Sequence, residues 1–313
     1  MSNLPPQRRA VIDVGTNSVK LLVADIAGGQ LTPISEESNQ TRLGAGFYTT
    51  RRLGSSAIAK TAAACAAYSA TAARLGAVTV RIIGTSAARD ALNASELAAA
   101  ICQDTGLPIE ILTGEQEAEW VFRGVASDPK LARLPVLILD VGGGSTEFIV
   151  GANAVPRFCR SYPLGTVRLL EQLQPPDPPG LEALSRCRSV LREFLENQVV
   201  PSLEPVLRQF AGPVELVGTS GTASLLARIE CRTNEFNREQ IEATVLPLGR
   251  LRALLEKLWQ LPLAARRETP GIPSDRADVI VTGMAIYEAI MDRLEFARLR
   301  ISTRGLRYWA LLQ

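Results

Sequence analysis

Two segments of the sequence carry residue types that could handle a phosphate. Val11–Lys20 reads VIDVGTNSVK, and Leu137–Thr146 reads LILDVGGGST. Each is an apolar run, then an Asp, an apolar residue, a Gly and a small polar loop. Glycines after a strand let backbone N–H groups converge on an anion with no Cβ in the way. An Asp at the strand end, Asp13 or Asp140, can hold a metal or a metal-bound water beside that anion. The richer loop is Gly142-Gly143-Gly144-Ser145-Thr146, with Glu147 next. The poorer one is Gly15-Thr16-Asn17-Ser18, with Lys20 following. Either alone reads equally well as a tight hairpin turn. The two Asp residues lie about one domain length apart, and the matched pair suggests two related halves facing one another with a ligand between them.

Two further Gly-polar loops follow apolar runs. Val217–Thr222 (VGTSGT) reads as a turn or a ligand loop. Ile83–Asp90 (IGTSAARD) places Arg89 early in a helix, where a cation does not help the helix dipole. Arg89 is then either a solvated arginine or a phosphate clamp.

The sequence contains no histidine. That removes Ser-His-Asp hydrolysis, phosphohistidine chemistry and His-ligated zinc or iron. A catalytic base would be a carboxylate before Lys, Tyr or Cys, and a metal would sit on oxygen ligands as a hard ion such as Mg²⁺. Net charge is +2 over 313 residues with both signs interspersed. No global basic field points to nucleic acid, so an anion site must be local. The five cysteines are scattered without a CxxC pair, as in a reducing compartment. MSNLPPQRR has no apolar signal region, and no span is apolar enough for a membrane. The expectation is a cytoplasmic protein.

The elements that must position these residues alternate between strand and helix, which predicts an α/β class. Strands are expected at 10–14, 20–26, 78–83, 108–112, 136–139, 147–151, 214–217 and 299–302. Helices are expected over 55–75, from about 87, and over 95–104, 181–209, 248–260, 277–294 (kinked near Gly283) and 305–312, with another after the 217–222 loop. Residues 264–276 read as a Pro-containing loop. Thr113-Gly114-Glu115-Gln116 opens a helix with a capping-box pattern. Glu115, Glu117 and Glu119 would suit that helix start on dipole grounds alone. Ser127–Pro135 marks a boundary between domains 1–128 and 129–313, the final helix being free to pack back on the first. Strand–Gly turn–strand units predict that part of each sheet is antiparallel.

IDVGTNSVKLLVADI, IGTSAARDA, TGEQEAEWVFRGV, LILDVGGGSTEFIVG, YPLGTVRL, VGTSGTA and RADVIVTGMAI together resemble the exopolyphosphatase / guanosine pentaphosphate phosphohydrolase family. The seven blocks run in the family's order over almost the whole chain. The resemblance implies two ribonuclease-H-like domains of the actin-like ATPase superfold, with mixed sheets flanking an interdomain cleft. Longer family members add a C-terminal helical region; this chain looks like the short two-domain form.

The resemblance further implies that Glu117 is the catalytic base, at the second acidic position of the family's S-G-x-E-E-A segment. The first acidic position is Gln116 here, a departure. Asp140 and Glu147 are implied as ligands of Mg²⁺ or another divalent cation, or of its water. Gly142, Gly143, Gly144 and Ser145 would bind phosphate oxygens, with Asn17, Ser18 and Lys20 as the opposing phosphate loop and Arg89 as a further phosphate contact. Asp13 is either metal-adjacent or structural. The implied reaction is release of terminal phosphate from inorganic polyphosphate. The alternative is 5′-phosphate hydrolysis of a guanosine pentaphosphate, and a non-catalytic alarmone-binding regulator is the reading from another class. A sugar or acetate-type kinase would need a Gly-Gly adenosine loop where Val281-Thr282-Gly283-Met284 has one Gly. Arg42, Arg51, Arg52, Arg160 and Arg168 are candidates for a polyphosphate groove. Family members are often dimers, so a homodimer is expected, with no nucleic-acid or membrane partner.

Overall fold

The structure, a computed structural model, describes residues 6–313 and forms two units. One takes the chain up to Gly124 together with Leu306–Gln313, and the other is Val125–Gly305.

The first unit is built on five strands: β1 (Gln7–Val14), β2 (Val19–Ala27), β3 (Gln30–Asn39), β4 (Thr79–Gly84) and β5 (Ile109–Ile111). Their order is β3-β2-β1-β4-β5. The β1–β2 and β2–β3 pairs are antiparallel; β4 and β5 extend the sheet in parallel. Val11, Ile12, Leu21, Leu22 and Val23 are fully buried. Their runs are continuous and not alternating because the sheet is covered on both faces. The Ser55–Arg74 helix packs on β1, β2 and the Ala94–Thr105 helix, its alanines allowing close approach. The last helix, Leu306–Leu312, lies against β1, β2 and β3. Arg81 Nη1 donates to the Ala310 carbonyl (2.9 Å) and Arg9 Nη1 to the Leu311 carbonyl (3.2 Å), satisfying acceptors that a helix C-terminus leaves open. At its other end Arg307 donates to the Leu21 carbonyl (2.9 Å) and to Glu36 (3.3 Å). The Arg123 guanidinium lies 5.7 Å from the Trp309 ring centroid.

The second unit repeats this plan with β6 (Val136–Val141), β7 (Thr146–Ala152), β8 (Val155–Tyr162), β9 (Glu215–Thr219), β10 (Val245–Pro247) and β11 (Arg298–Ile301), ordered β10-β11-β9-β6-β7-β8. Again the first three strands are antiparallel neighbours and the first pairs in parallel with the fourth. The duplication extends to irregularities. β3 carries Pro33 and β8 carries Pro156, each beside a register shift against its neighbour, at Val23/Ala24 and Val150/Gly151. Proline cannot donate to a ladder and is tolerated at such edges and bulges.

Four expectations are corrected. Neither β3 nor β8 was foreseen, since Pro and polar residues blur their alternation. The 181–209 helix is not uniform: α-helix Gly180–Phe194 passes through a π-turn at Leu195–Val199 before Val200–Leu207. Pro201 lacks the N–H that a regular ladder needs there. The helix near Gly283 runs unbroken from Ile280 to Arg293. Gly283 instead permits close packing, since a Cβ there would lie 2.5 Å from Thr222 Cγ2. The 264–276 segment also holds a short helix, Leu263–Arg267. Among the described residues no helix is long and apolar enough to cross a membrane.

Candidate active site

The two Gly loops are the same turn made twice. Each joins the first two strands of its sheet. Gly15 N–H donates to the Ser18 carbonyl and Gly142 N–H to the Ser145 carbonyl, both at 3.0 Å. Other carbonyls of each loop are tied back by a following segment. In the first unit the Gly44 N–H reaches the Thr16 carbonyl (2.7 Å) and the Arg42 N–H the Asn17 carbonyl (3.0 Å). In the second, Thr166 N–H reaches Gly142 (2.9 Å), Val167 and Arg168 N–H reach Gly143 (2.9 and 3.1 Å), and Arg168 Nε reaches Gly144 (2.9 Å). Thr166 and Val167 open a helix whose first amides need acceptors, and the loop carbonyls supply them.

With their carbonyls so engaged, the loops are left presenting amides. Among the described residues the N–H groups of Thr16, Asn17, Gly143 and Gly144 have no protein acceptor. Thr16, Asn17 and Gly144 are buried, where an unmatched donor calls for a partner. Successive amides of this kind form an anion receptor.

The tie-back demands two glycines. A Cβ on Gly165 would sit 2.4 Å from the Gly143 carbonyl oxygen and 2.5 Å from Gly144 N; one on Gly44 would sit 2.3 Å from Thr16 Cγ2. Both follow a leucine, as Leu43-Gly44 and Leu164-Gly165. That shared dipeptide is the signal by which Gly44 could have been found.

A row across three strands flanks each loop. In the first unit Asp13 faces Lys20, which faces Ser38. In the second Asp140 faces Glu147, which faces Ser161. Directly opposed residues project from the same sheet face, so Asp140 and Glu147 share one face. Burial pushes the Asp13 carboxyl up, and the charges of Lys20 and Arg307 oppose that shift. Glu147 is 1% exposed, and its Oε1 accepts from Ser145 Oγ (2.8 Å) and Ser161 Oγ (2.7 Å). Ser145, expected on phosphate, therefore gives its hydroxyl proton to Glu147. Asp140 Oδ2 accepts from Ser220 Oγ at 2.6 Å. That hydroxyl comes from the VGTSGT segment, which now has a place at the site.

Ser220 has φ +64°, a left-handed conformation that disfavours any residue with a Cβ. Ser220→Gly should relieve about 1 kcal/mol of this strain but lose a hydrogen bond to buried Asp140 worth at least as much, so the melting temperature should not rise, while phosphate release falls because Asp140 loses its donor. A melting curve and a turnover assay read the two effects; an unchanged turnover would remove Ser220 from the site.

Glu117 sits in the first turns of the Gly114–Ala126 helix. The capping box is formed: Gln116 N–H donates to Thr113 Oγ1 (3.2 Å) and Thr113 N–H to Gln116 Oε1 (2.9 Å). Gln116 thus fills a capping role that an acidic residue would also fill. Glu115 and Glu119 are exposed, whereas Glu117 is buried. Arg89 Nη1 donates to Glu117 Oε2 (2.7 Å) and to the Leu112 carbonyl (3.2 Å), so Arg89 orients the glutamate. Asn17 Nδ2 donates to Gln40 Oε1 (3.2 Å). Of the five arginines expected in a polyphosphate groove, Arg168 bonds to the Gly142–Ser145 loop. Arg42, Arg51, Arg52 and Arg160 are exposed, Arg52 pairing with Glu96 at 3.0 Å.

No group of three or more His, Cys, Asp and Glu residues suited to a metal occurs among the described residues. The donor set Asp140 plus Glu147 fits Mg²⁺ nonetheless, since that ion keeps several waters and is held by one or two carboxylates together with substrate phosphates.

The description "Ppx/GppA phosphatase family" matches residues 22–312. Exopolyphosphatase 2 of Mycobacterium tuberculosis is 34% identical over 303 residues, 92% of this chain and 91% of its own. Exopolyphosphatase 1 of Mycobacterium bovis is 30% identical over 308 residues, 98% of this chain and 88% of its own. Among solved structures, the Aquifex aeolicus PPX-GPPA enzyme aligns with TM-score 0.78 and 29% identity, over 98% of this chain and 99% of its own. An exopolyphosphatase from Cytophaga hutchinsonii aligns with TM-score 0.87 and 27% identity, over 97% and 96%. The two units are of the actin-like type.

Proposed function

Since this chain belongs to the Ppx/GppA phosphatase family and is a phosphoanhydride hydrolase, we propose that it releases the terminal phosphate of inorganic polyphosphate. The tying back of the Gly142–Ser145 carbonyls carries the reading, because it turns a Gly loop into a set of inward donors for phosphate oxygens. The names of the Mycobacterium relatives support polyphosphate as the substrate.

In this reading Glu117 accepts the proton of the attacking water, with Arg89 fixing the carboxylate's direction. The amides of Gly143 and Gly144 donate to phosphate oxygens, and the first unit offers donors of the same kind at Thr16 and Asn17 of its loop. Ser18 shapes that loop through its carbonyl, and Lys20 adds positive charge beside it. Such donors act where charge gathers in phosphoryl transfer, a reaction carried chiefly by positioning and electrostatics. Mg²⁺ or another divalent cation, held by Asp140 and Glu147, would neutralise charge on the phosphates.

The test is orthophosphate release from polyphosphate and from guanosine pentaphosphate under the same conditions. Polyphosphate should be the better substrate by kcat/KM. Turnover of the nucleotide alone would overturn the polyphosphate reading, and release from neither would favour a binding protein.

A further inference from the structure

We infer that Ser161 is a positioning residue for the cation site, holding Glu147 in the orientation that a divalent ion requires. The inference rests on the proposed assignment of Asp140 and Glu147 to that ion.

Ser161 lies on β8, directly across from Glu147. Its hydroxyl and that of Ser145 converge on one oxygen, Oε1, at 2.7 and 2.8 Å. Two hydroxyl donors on one oxygen of a buried carboxylate, one from the loop and one from β8, restrain the rotation of its plane, and with it the direction of Oε2. A carboxylate that ligates a metal is ordinarily oriented by such outer hydrogen bonds. A buried carboxylate also needs its lone pairs satisfied, and losing one donor leaves it partly uncompensated.

The first unit offers an internal comparison. Its equivalent row, Asp13–Lys20–Ser38, also ends in serine, and there Ser38 Oγ accepts from Gln40 Nε2 at 3.3 Å. A serine at this edge position thus serves other partners when the middle residue is a cation. Where the middle residue is Glu147, the serine becomes its donor.

The second consequence concerns Ser145. A hydroxyl has one proton, and Ser145 spends it on Glu147. If Ser161 is removed, Oε1 keeps the Ser145 hydroxyl and loses the donor from β8, so more of the restraint on the glutamate falls to the loop that carries Gly143 and Gly144.

The experiment titrates Mn²⁺ into the protein in the presence of inorganic phosphate, read by electron paramagnetic resonance, alongside turnover. Ser161→Ala should weaken Mn²⁺ binding about tenfold, with kcat at saturating Mn²⁺ held within a few-fold. Ser161→Thr, which keeps the hydroxyl, should bind as the parent does. A purely structural role would lower the melting temperature and leave Mn²⁺ affinity unchanged, which would overturn the inference. Should the Ala variant not fold, Ser161→Cys keeps a side chain of the same shape, slightly larger, with a weaker donor, and parent-like Mn²⁺ affinity there would overturn it as well. Glu147→Gln separates the two levels. If it loses Mn²⁺ and the Ser161 variants do not, Ser161 has no such role; if it binds Mn²⁺ like the parent, the cation assignment itself fails, and the inference with it.

Discussion

Glu117→Gln should lower kcat by about 10³-fold, within the range that a positioned general base contributes, and leave polyphosphate binding within a few-fold of the parent. The substitution is close to isosteric. The Arg89 Nη1 donor, now 2.7 Å from Glu117 Oε2, can still bond to the amide oxygen of Gln, though without the opposite charge. The helix start does not depend on position 117, because Thr113 and Gln116 form the cap. What the amide cannot do is take a proton from water. Phosphate release and equilibrium binding of polyphosphate separate the two effects. Glu119→Gln is the control, since Glu119 is exposed and paired with Arg123 at 3.2 Å. Parent-like turnover by Glu117→Gln would move the base elsewhere.

Gly165→Ala should damage both stability and turnover. Its methyl would meet the backbone of Gly143 and Gly144 at 2.4–2.5 Å, and backbone cannot swing aside as a side chain can. Overpacking of this kind costs about 1–3 kcal/mol. Displacing the loop by about 1 Å would slow phosphate release about 10²-fold. Gly44→Ala makes a different collision, with Thr16 Cγ2 at 2.3 Å, while the next Thr16 atom, its carbonyl oxygen, is 3.3 Å away. Thr16→Ser deletes that methyl. The Gly44→Ala/Thr16→Ser pair should therefore recover most of what Gly44→Ala loses, a coupling that melting temperatures resolve. If Gly165→Ala is as mild as the repaired pair, the second loop is less rigidly held than its hydrogen bonds imply.

The parts of this site legible in the sequence are those carried by local pattern. Asp-apolar-Gly segments gave both hairpins, and Thr113 with Gln116 gave the cap before Glu117. What stayed hidden depends on register between strands. Ser161 meets Glu147 because β8 pairs with β7, and β8 is obscured by Pro156 and by its bulge. Lys20 and Glu147 follow their Asp at the same spacing, but that each lies directly across from it appears only after pairing. Arg89 was read as a solvated side chain or a phosphate clamp; its bond to Glu117 spans elements whose contact is set by the β4–β5 pairing. Gly283 was misread as a kink because a glycine in a helical pattern gives the same signal whether it bends a helix or lets another one close.

The terminal helix sets an order of events on the ribosome. Its seven residues complete the sheet that the chain begins with, receiving Arg9 and Arg81 at one end and reaching Leu21 and Glu36 through Arg307 at the other. During synthesis Val125–Gly305 emerges in full before Leu306–Leu312 can be supplied. Domains generally fold as units from the N-terminal side, yet here the earlier-made unit is the one left waiting. Its cover over β1, β2 and β3 leaves the exit tunnel only after all of Val125–Gly305, so the first unit is completed once the second has been made.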